Sequence, residues 1–410
     1  MGTIRRRRAV RPGLAAVTAG TLVATLTGVT GAGSAGAISC EPTPNLLSGK
    51  PSQTLALPDG AKARVWDTGS EVSRYNEVRL AAVTIPAASL VPKILAGSSL
   101  TNLRRPYQMA GKKTVALING SVWSEWDPGV PVKSQILAWV VRKGASTPTR
   151  GLAVYGKTRK LAVAEMTVNG AAKVTRGAAA VDSIKIGAVN WQELPREGAT
   201  LYTSVWGQWE HGVGQRTVVV AGGKVTKILT GYDIAADAPP SGSQYLTARW
   251  GSHAADQLAQ LRVGDKVDIS VAPGGSLDYQ KKHTPIGRPT GLTGLSAPIV
   301  EHGKVVYGCD HISEIRRPRS IIGWKKNGDV LLVAIGGREF DGDLRTGGAT
   351  VHQAAAYLRQ LGAVTAVAFD GGNSTTLLVR KKPGGPLIRL DRSGSDYQRP
   401  ITDAVAFDLP

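Results

Sequence analysis

Apolar and polar positions along this chain alternate in short runs rather than at helical spacing. "EVRLAAVTI", "KTVALING", "QILAWVVRKG", "RTVVVAGGKVTKIL", "DKVDISVA", "KVVYGC", "DVLLVAIGG", "TAVAFDGG", "STTLLVRK" and "ITDAVAFDL" are rich in Val, Ile and Thr and are closed by turn signals. Such runs predict strands bounded by turns. Helical periodicity is confined to two places. Residues 254–261 make a short candidate, and 350–361 ("TVHQAAAYLRQL") make the better one, with Val351, Ala355, Leu358 and Leu361 on one face and Gly362 at its end. The pattern therefore predicts an α+β protein, a strand-rich mixed sheet with few helices and a C-terminal strand–helix–strand unit.

In that unit, a strand over 330–335 and one over 365–369 flank the helix. This spacing predicts a right-handed parallel crossover. The loops 336–348 and 370–374 then leave one sheet edge together, the edge at which open sheets build their sites. Gly337, Arg338 and Asp370 are thereby placed near one another.

The second loop is the most informative stretch. In "AVAFDGGNSTTLLVR" an apolar run ends on Asp370, followed by Gly371, Gly372, Asn373, Ser374 and Thr375. A tight turn capped by its own carboxylate explains one Asp-Gly. It explains poorly the hydroxyl row behind it, which suits a phosphate or a sugar hydroxyl approached closely by backbone. "SEIRRPRSIIGW" adds Arg316, Arg317 and Arg319, "GGREF" adds Arg338 and Glu339, and "YQRPITDA" adds Arg399. A solvated basic loop is the usual fate of such charge, and a bidentate anion clamp is the functional alternative. "NGSVWSEWD" places Asn119, Trp123, Glu125 and Asp127 after a strand end. Trp faces beside carboxylates suit a carbohydrate, although a core role for each ring weighs as heavily.

Composition sharpens the setting. Arg5 to Arg8 and Arg11 precede an uncharged stretch that ends in Ala35-Gly36-Ala37, the pattern of an export signal over residues 1–37. The net charge is +20, and +15 once those five arginines are gone, so anionic partners are expected. No other segment is apolar enough for stable membrane insertion. The basic residues are not interleaved with an aromatic row, which argues against nucleic acid. Cys40 and Cys309, an even pair in an exported chain, suggest a disulfide. Two cysteines and six scattered histidines give no zinc spacing, so neither metal nor cofactor is expected.

The order "NGSVW", "RRPRSIIG…NGDVLLVAIGGR", "TGGAT" opening a helix, "LGAVTAVAFDGGNSTTLL" and "QRPITDAVAF" resembles the phosphodiester glycosidase domain family, over roughly residues 75 to 408. The resemblance implies hydrolysis at the anomeric carbon of a sugar 1-phosphodiester, of the N-acetylglucosamine type. By the resemblance, Asn119, Arg319, Arg338, Asp370 and Arg399 occupy the family's recurrent site motifs. The residue chemistry adds Glu339 as second carboxylate, so Asp370, Glu339, Arg319 and Arg338 are expected to be catalytic, and Asn119, Trp123, Gly371, Gly372, Ser374, Thr375 and Arg399 to bind substrate. Where the family commonly carries Asp-Gly-Arg-Gln, this chain has Gly336, Gly337, Arg338 and Glu339. The resulting domain reading is an export signal over 1–37, an extended lead-in over 38–74 and a catalytic domain over 75–410. A non-catalytic exported protein that holds an anionic wall polysaccharide is the alternative.

Overall fold

The computed structural model describes residues 40–68, 77–123, 131, 133–138, 140–155, 157–207, 215–231, 239–278, 284–285, 289–295, 298–306, 315–336, 347–391 and 398–410. Eight strands frame the candidate site: β1 (Arg79–Ile85), β2 (Val91–Ala96), β3 (Thr114–Asn119), β4 (Arg319–Lys325), β5 (Val330–Gly336), β6 (Ala363–Ala368), β7 (Leu377–Val379) and β8 (Asp403–Asp408).

β5 shows how the hydrophobic pattern dictates the layering. All seven of its residues are buried. Leu331, Val333 and Ile335 face the helix Val351–Gln360, where they meet Ala354, Ala355, Tyr357 and Leu358. Leu332 and Ala334 face the other way, toward Ile118, Leu377, Val405 and Phe407 of a second sheet. Successive side chains of a strand point to opposite faces, so a continuous apolar run belongs between two layers. Each fully buried Leu, Val or Ile contributes roughly 1.5–3 kcal/mol.

The first sheet has eight strands in the order Gln53–Ala56, Lys62–Asp67, β1, β5, β4, β6, Pro298–Glu301 and Lys304–Val305. β4 is antiparallel to both β5 and β6, so β5 and β6 run parallel with one strand between them. The parallel relation expected of the strand–helix–strand unit is present, though the two strands are not neighbours. Gln53–Ala56 and Lys62–Asp67 pair with each other and with β1. These residues, expected in an extended lead-in over 38–74, are thus integral to the sheet, because Leu55, Ala63 and Val65 bury into the same core.

The second sheet has five strands, with β7 and β8 flanking β3, Ile388–Arg389 beside β7 and β2 beside β8. A third, twelve-stranded sheet occupies the middle of the chain. Its long strand Lys160–Arg176 pairs along one side with Lys266–Asp278, and on the other with Thr149–Tyr155 and then Ala179–Val189. This sheet makes the set mixed, since Ala179–Val189 and Ala199–Thr203 pair in parallel. The Ala- and Gly-rich strands over 160–189 escaped the sequence reading because small residues blur the alternation and have weak strand preference.

The helix begins where its chemistry requires. Thr350 Oγ1 accepts from the Gln353 N–H at 3.1 Å and Gln353 Oε1 accepts from the Thr350 N–H at 3.2 Å, a reciprocal cap. It ends before Gly362, whose φ of 92° favours glycine. Among the described residues, no helix is long and apolar enough to cross a membrane.

Candidate active site

The C-terminal ends of β5 and β6 and the start of β4 share one edge of the eight-stranded sheet, with Arg319 in register with Ile335. On the five-stranded sheet, the end of β3 lies beside the starts of β7 and β8, with Ile118 paired to Leu377 and Asn119 to Ala404. The two edges are sewn together by Asn119. Its Nδ2 donates to the Asp370 carbonyl at 2.8 Å. Its Oδ1 accepts from Ser320 Oγ at 2.6 Å and from the Thr376 N–H at 3.1 Å. Asn119 is 1% exposed and its side chain is fully engaged. The residue expected to touch substrate is therefore occupied in holding the loop that carries Asp370.

Asp370 itself is half-buried at the meeting of the edges. Its N–H donates to the Gly120 carbonyl at 3.0 Å, and its Oδ1 accepts from the Gly371 N–H at 3.0 Å. The glycines that follow are demanded by close approach. A Cβ on Gly371 would lie 2.6 Å from the Pro318 carbonyl oxygen, and Gly372 has φ 59° while its N–H donates to that same oxygen at 2.9 Å. The Asp370 loop and the Arg317-Pro318-Arg319 segment are thereby in direct contact.

Behind Asp370, Ser374, Thr375 and Thr376 are each at most 1% exposed, and among the described residues none of their hydroxyls has a hydrogen-bond partner. Buried hydroxyls are ordinarily paired, so an unspent row of them marks a place for a polar ligand or water.

The arginines separate by role. Arg319 donates from Nε to the Ala349 carbonyl at 3.1 Å and from a terminal nitrogen to the Ile315 carbonyl at 2.7 Å, and among the described residues no carboxylate pairs with it. Burial, aided by the neighbouring Arg317, draws its pKa down to about 10, which leaves it charged at neutral pH. Arg316 faces elsewhere and forms an ion pair with Glu41. Arg399 stacks over the Trp123 ring, 4.5 Å from its centroid, so those two expected residues do meet. Arg338, Glu339, Gly337, Glu125, Asp127 and Cys309 lie outside the described residues. Cys40 Sγ lies 3.6 Å from His352 Nδ1.

Gly336 explains its own departure from the common motif. A Cβ there would stand 2.4 Å from the backbone oxygen of Asp391, which excludes an aspartate at this position without a shift of that chain. Asp391 is wholly buried, accepts from the Leu377 N–H at 2.9 Å and pairs with Arg389 at 3.0 Å.

A polar group that sequence reasoning missed lies under Gly120. Asp403 Oδ1 accepts from the Ser121 N–H at 2.7 Å and from Thr293 Oγ1 at 2.8 Å, while Oδ2 accepts from Gln135 Nε2 at 2.7 Å. Burial pushes its pKa up, opposed by those three donors and by the nearby Arg142 charge. The available signal was a charged residue inside the apolar run "TDAVAF", where a buried carboxylate requires partners. Its partners are scattered over Ser121, Gln135, Arg142 and Thr293, and no spacing links them.

Residues 214–407 match the family model described as phosphodiester glycosidase, so the resemblance drawn from the motifs holds over that span. Among solved structures, a hypothetical protein from Synechocystis is 19% identical with a TM-score of 0.65. The alignment covers 88% of this chain and 64% of that one, so this chain spans less than two thirds of its length. A Burkholderia pseudomallei K96243 protein whose name describes it as exported is 16% identical, with a TM-score of 0.56 and coverage of 82% and 74%. The zebrafish N-acetylglucosamine-1-phosphodiester alpha-N-acetylglucosaminidase catalytic domain aligns at 11% identity with a TM-score of 0.39, covering 87% of each chain. The first two establish a shared fold. No curated protein matches in sequence.

Proposed function

We propose that this chain, whose residues 214–407 match the phosphodiester glycosidase family model, is an exported hydrolase of sugar 1-phosphodiesters. The observation that carries the reading is the direct contact between the loop that bears Asp370 and the segment that bears Arg319, an arginine that no described carboxylate neutralises. Arg319 stands on the segment whose Pro318 carbonyl accepts from Gly372, two residues beyond Asp370.

The chemistry follows from that juxtaposition. The bond between the anomeric carbon and the phosphate oxygen breaks, the electron pair leaves with the phosphate, and water supplies the oxygen of the free sugar. A phosphate monoester leaves far more readily than an alcohol, so stabilising its charge substitutes for strong protonation. Arg319 supplies that stabilisation, joined by Arg338. Asp370 serves the electron-poor anomeric centre as nucleophile or as base toward water. Ser374 and Thr375 contribute the unspent hydroxyls, Gly371 and Gly372 the close backbone, and the Trp123–Arg399 pair an aromatic and cationic wall. Glu339 completes the acidic set. Asn119 holds Asp370 in position.

Export is supported by the leader pattern over residues 1–37 and by the exported relative, with a Cys40–Cys309 disulfide forming after translocation. The test is incubation of the mature protein and its Asp370→Asn variant with a panel of sugar 1-phosphodiesters, α-N-acetylglucosamine first, with free sugar as the readout. Sugar released by the parent and lost in the folded variant is expected. A folded protein that releases none but retains an anionic wall polymer would instead be a binding protein.

A further inference from the structure

Arg142 is buried to 3% exposure, and among the described residues neither of its terminal guanidinium nitrogens has a hydrogen-bond partner. Gln135 lies on the neighbouring strand, where it is in register with Lys143, and is 1% exposed. Its Nε2 is committed to Asp403, and its Oε1 is unpartnered. Both carboxylate oxygens of Asp403 are already occupied by Ser121, Thr293 and Gln135. Native proteins rarely leave such groups unpaired, so the set marks a subsite.

The subsite adjoins the reacting centre. The Asp403 carbonyl accepts from the Gly120 N–H at 3.0 Å, and the Gly120 carbonyl accepts from the Asp370 N–H at 3.0 Å. It therefore flanks Asp370 on the five-stranded-sheet side, while Arg319 flanks it on the eight-stranded-sheet side.

The unspent valences select the ligand. Arg142 offers donors, and Gln135 Oε1 offers an acceptor. A phosphodiester brings acceptors alone and would leave the Gln135 oxygen unpaired. Adjacent hydroxyls, or a secondary amide, bring both a donor and an acceptor without charge. We infer that Arg142 and Gln135 form a subsite for the neutral sugar half of the substrate, taking its hydroxyl or acetamido group, while the phosphate lies toward Arg319. This orientation rests on the hydrolase reading above.

Calorimetry on the mature chain, with free N-acetylglucosamine and inorganic phosphate as separate probes, tests the assignment. Arg142→Gln and Arg142→Lys are expected to weaken sugar binding by about tenfold or more, the loss typical of a hydrogen bond to a charged group, and to leave phosphate binding unchanged. Arg319→Gln is expected to do the reverse. A second comparison needs no variant: the parent protein should bind N-acetylglucosamine more tightly than 2-deoxyglucose. Equal affinity for those two sugars overturns the inference, as does sugar binding that survives in folded Arg142 variants. Phosphate binding that falls with Arg142, or a parent protein that binds no sugar, also overturns it. Absence of phosphodiester hydrolysis together with Arg142-dependent sugar binding sinks the hydrolase reading and leaves the sugar subsite standing. Hydrolysis without that dependence does the opposite.

Discussion

Asn119 Nδ2 donates to the backbone carbonyl of Asp370 at 2.8 Å across 251 positions of sequence, and this bond joins the edges of two sheets at the candidate catalytic carboxylate. Asn119→Ala would leave the Asp370 carbonyl, the Ser320 hydroxyl and the Thr376 N–H without that partner, at about 1–3 kcal/mol for each buried group left unpaired. The expected result is a lower melting temperature and a fall in kcat that exceeds any rise in KM. A KM-dominated loss in a protein of normal melting temperature would mean that Asn119 contacts substrate directly.

The two neighbouring arginines should separate cleanly. Arg319→Ala removes a charge that no described carboxylate pairs with, and kcat/KM is expected to fall by about 10²–10³-fold, as for loss of a transition-state donor. Arg316→Ala breaks the partly exposed pair with Glu41, and stability should fall by at most about 1 kcal/mol. Its kcat/KM should stay near the parent value. Steady-state kinetics beside denaturant curves would distinguish them.

Restoring the common family residue should not help. In Gly336→Asp the new Cβ meets backbone, the Asp391 oxygen at 2.4 Å, and cannot be relieved by rotating a side chain. A stability loss of about 1–3 kcal/mol with no gain in activity is expected. In Gly120→Ala the added methyl would meet Asp403 Oδ1 at 2.1 Å, and damage to turnover should accompany the loss of stability. A Gly336→Asp variant more active than the parent would count against this account of the edge.

Asp403 should leave a mark on the pH dependence of stability. Burial raises its folded-state pKa above the ordinary 3.8, so over that interval the folded protein binds more protons than the unfolded chain. Stability from this group is then greatest below the unfolded pKa and declines as pH rises through the folded value. Asp403→Asn removes that contribution. The difference between parent and variant in denaturant midpoint should therefore change with pH across the acid range and flatten above it. A pH-independent difference would show that Asp403 keeps an ordinary pKa.

Much of the site was legible because its signals are local. Asp370-Gly371-Gly372 declares a strand end where backbone must pass close to a neighbour, and the Pro318 carbonyl proves to be that neighbour. The stripe and cap of 350–361 specify the helix Val351–Gln360, and the apolar run at 330–335 specifies a strand buried on both faces. Arg316, Arg317 and Arg319 were indistinguishable in sequence, because adjacent residues differ in direction and that direction appears only when the chain is packed. Asn119 was legible as a candidate, but not as the residue whose side chain bonds the Asp370 carbonyl.

Sequence alone determined the strand-rich class, the helix that separates β5 from β6, the family motifs and the lone carboxylate at a strand end. These follow from periodicity, glycine geometry and charge, which act over a few residues. Tertiary structure alone decided that Asn119 would join two sheets and that Arg316 would be spent on Glu41. It also decided that Gly336 would face the Asp391 carbonyl, and that Asp403, Gln135 and Thr293 would gather beneath Gly120. The reason is physical: a buried polar group must find a partner wherever the packed chain brings one, and strand pairing brings together residues that no sequence spacing connects.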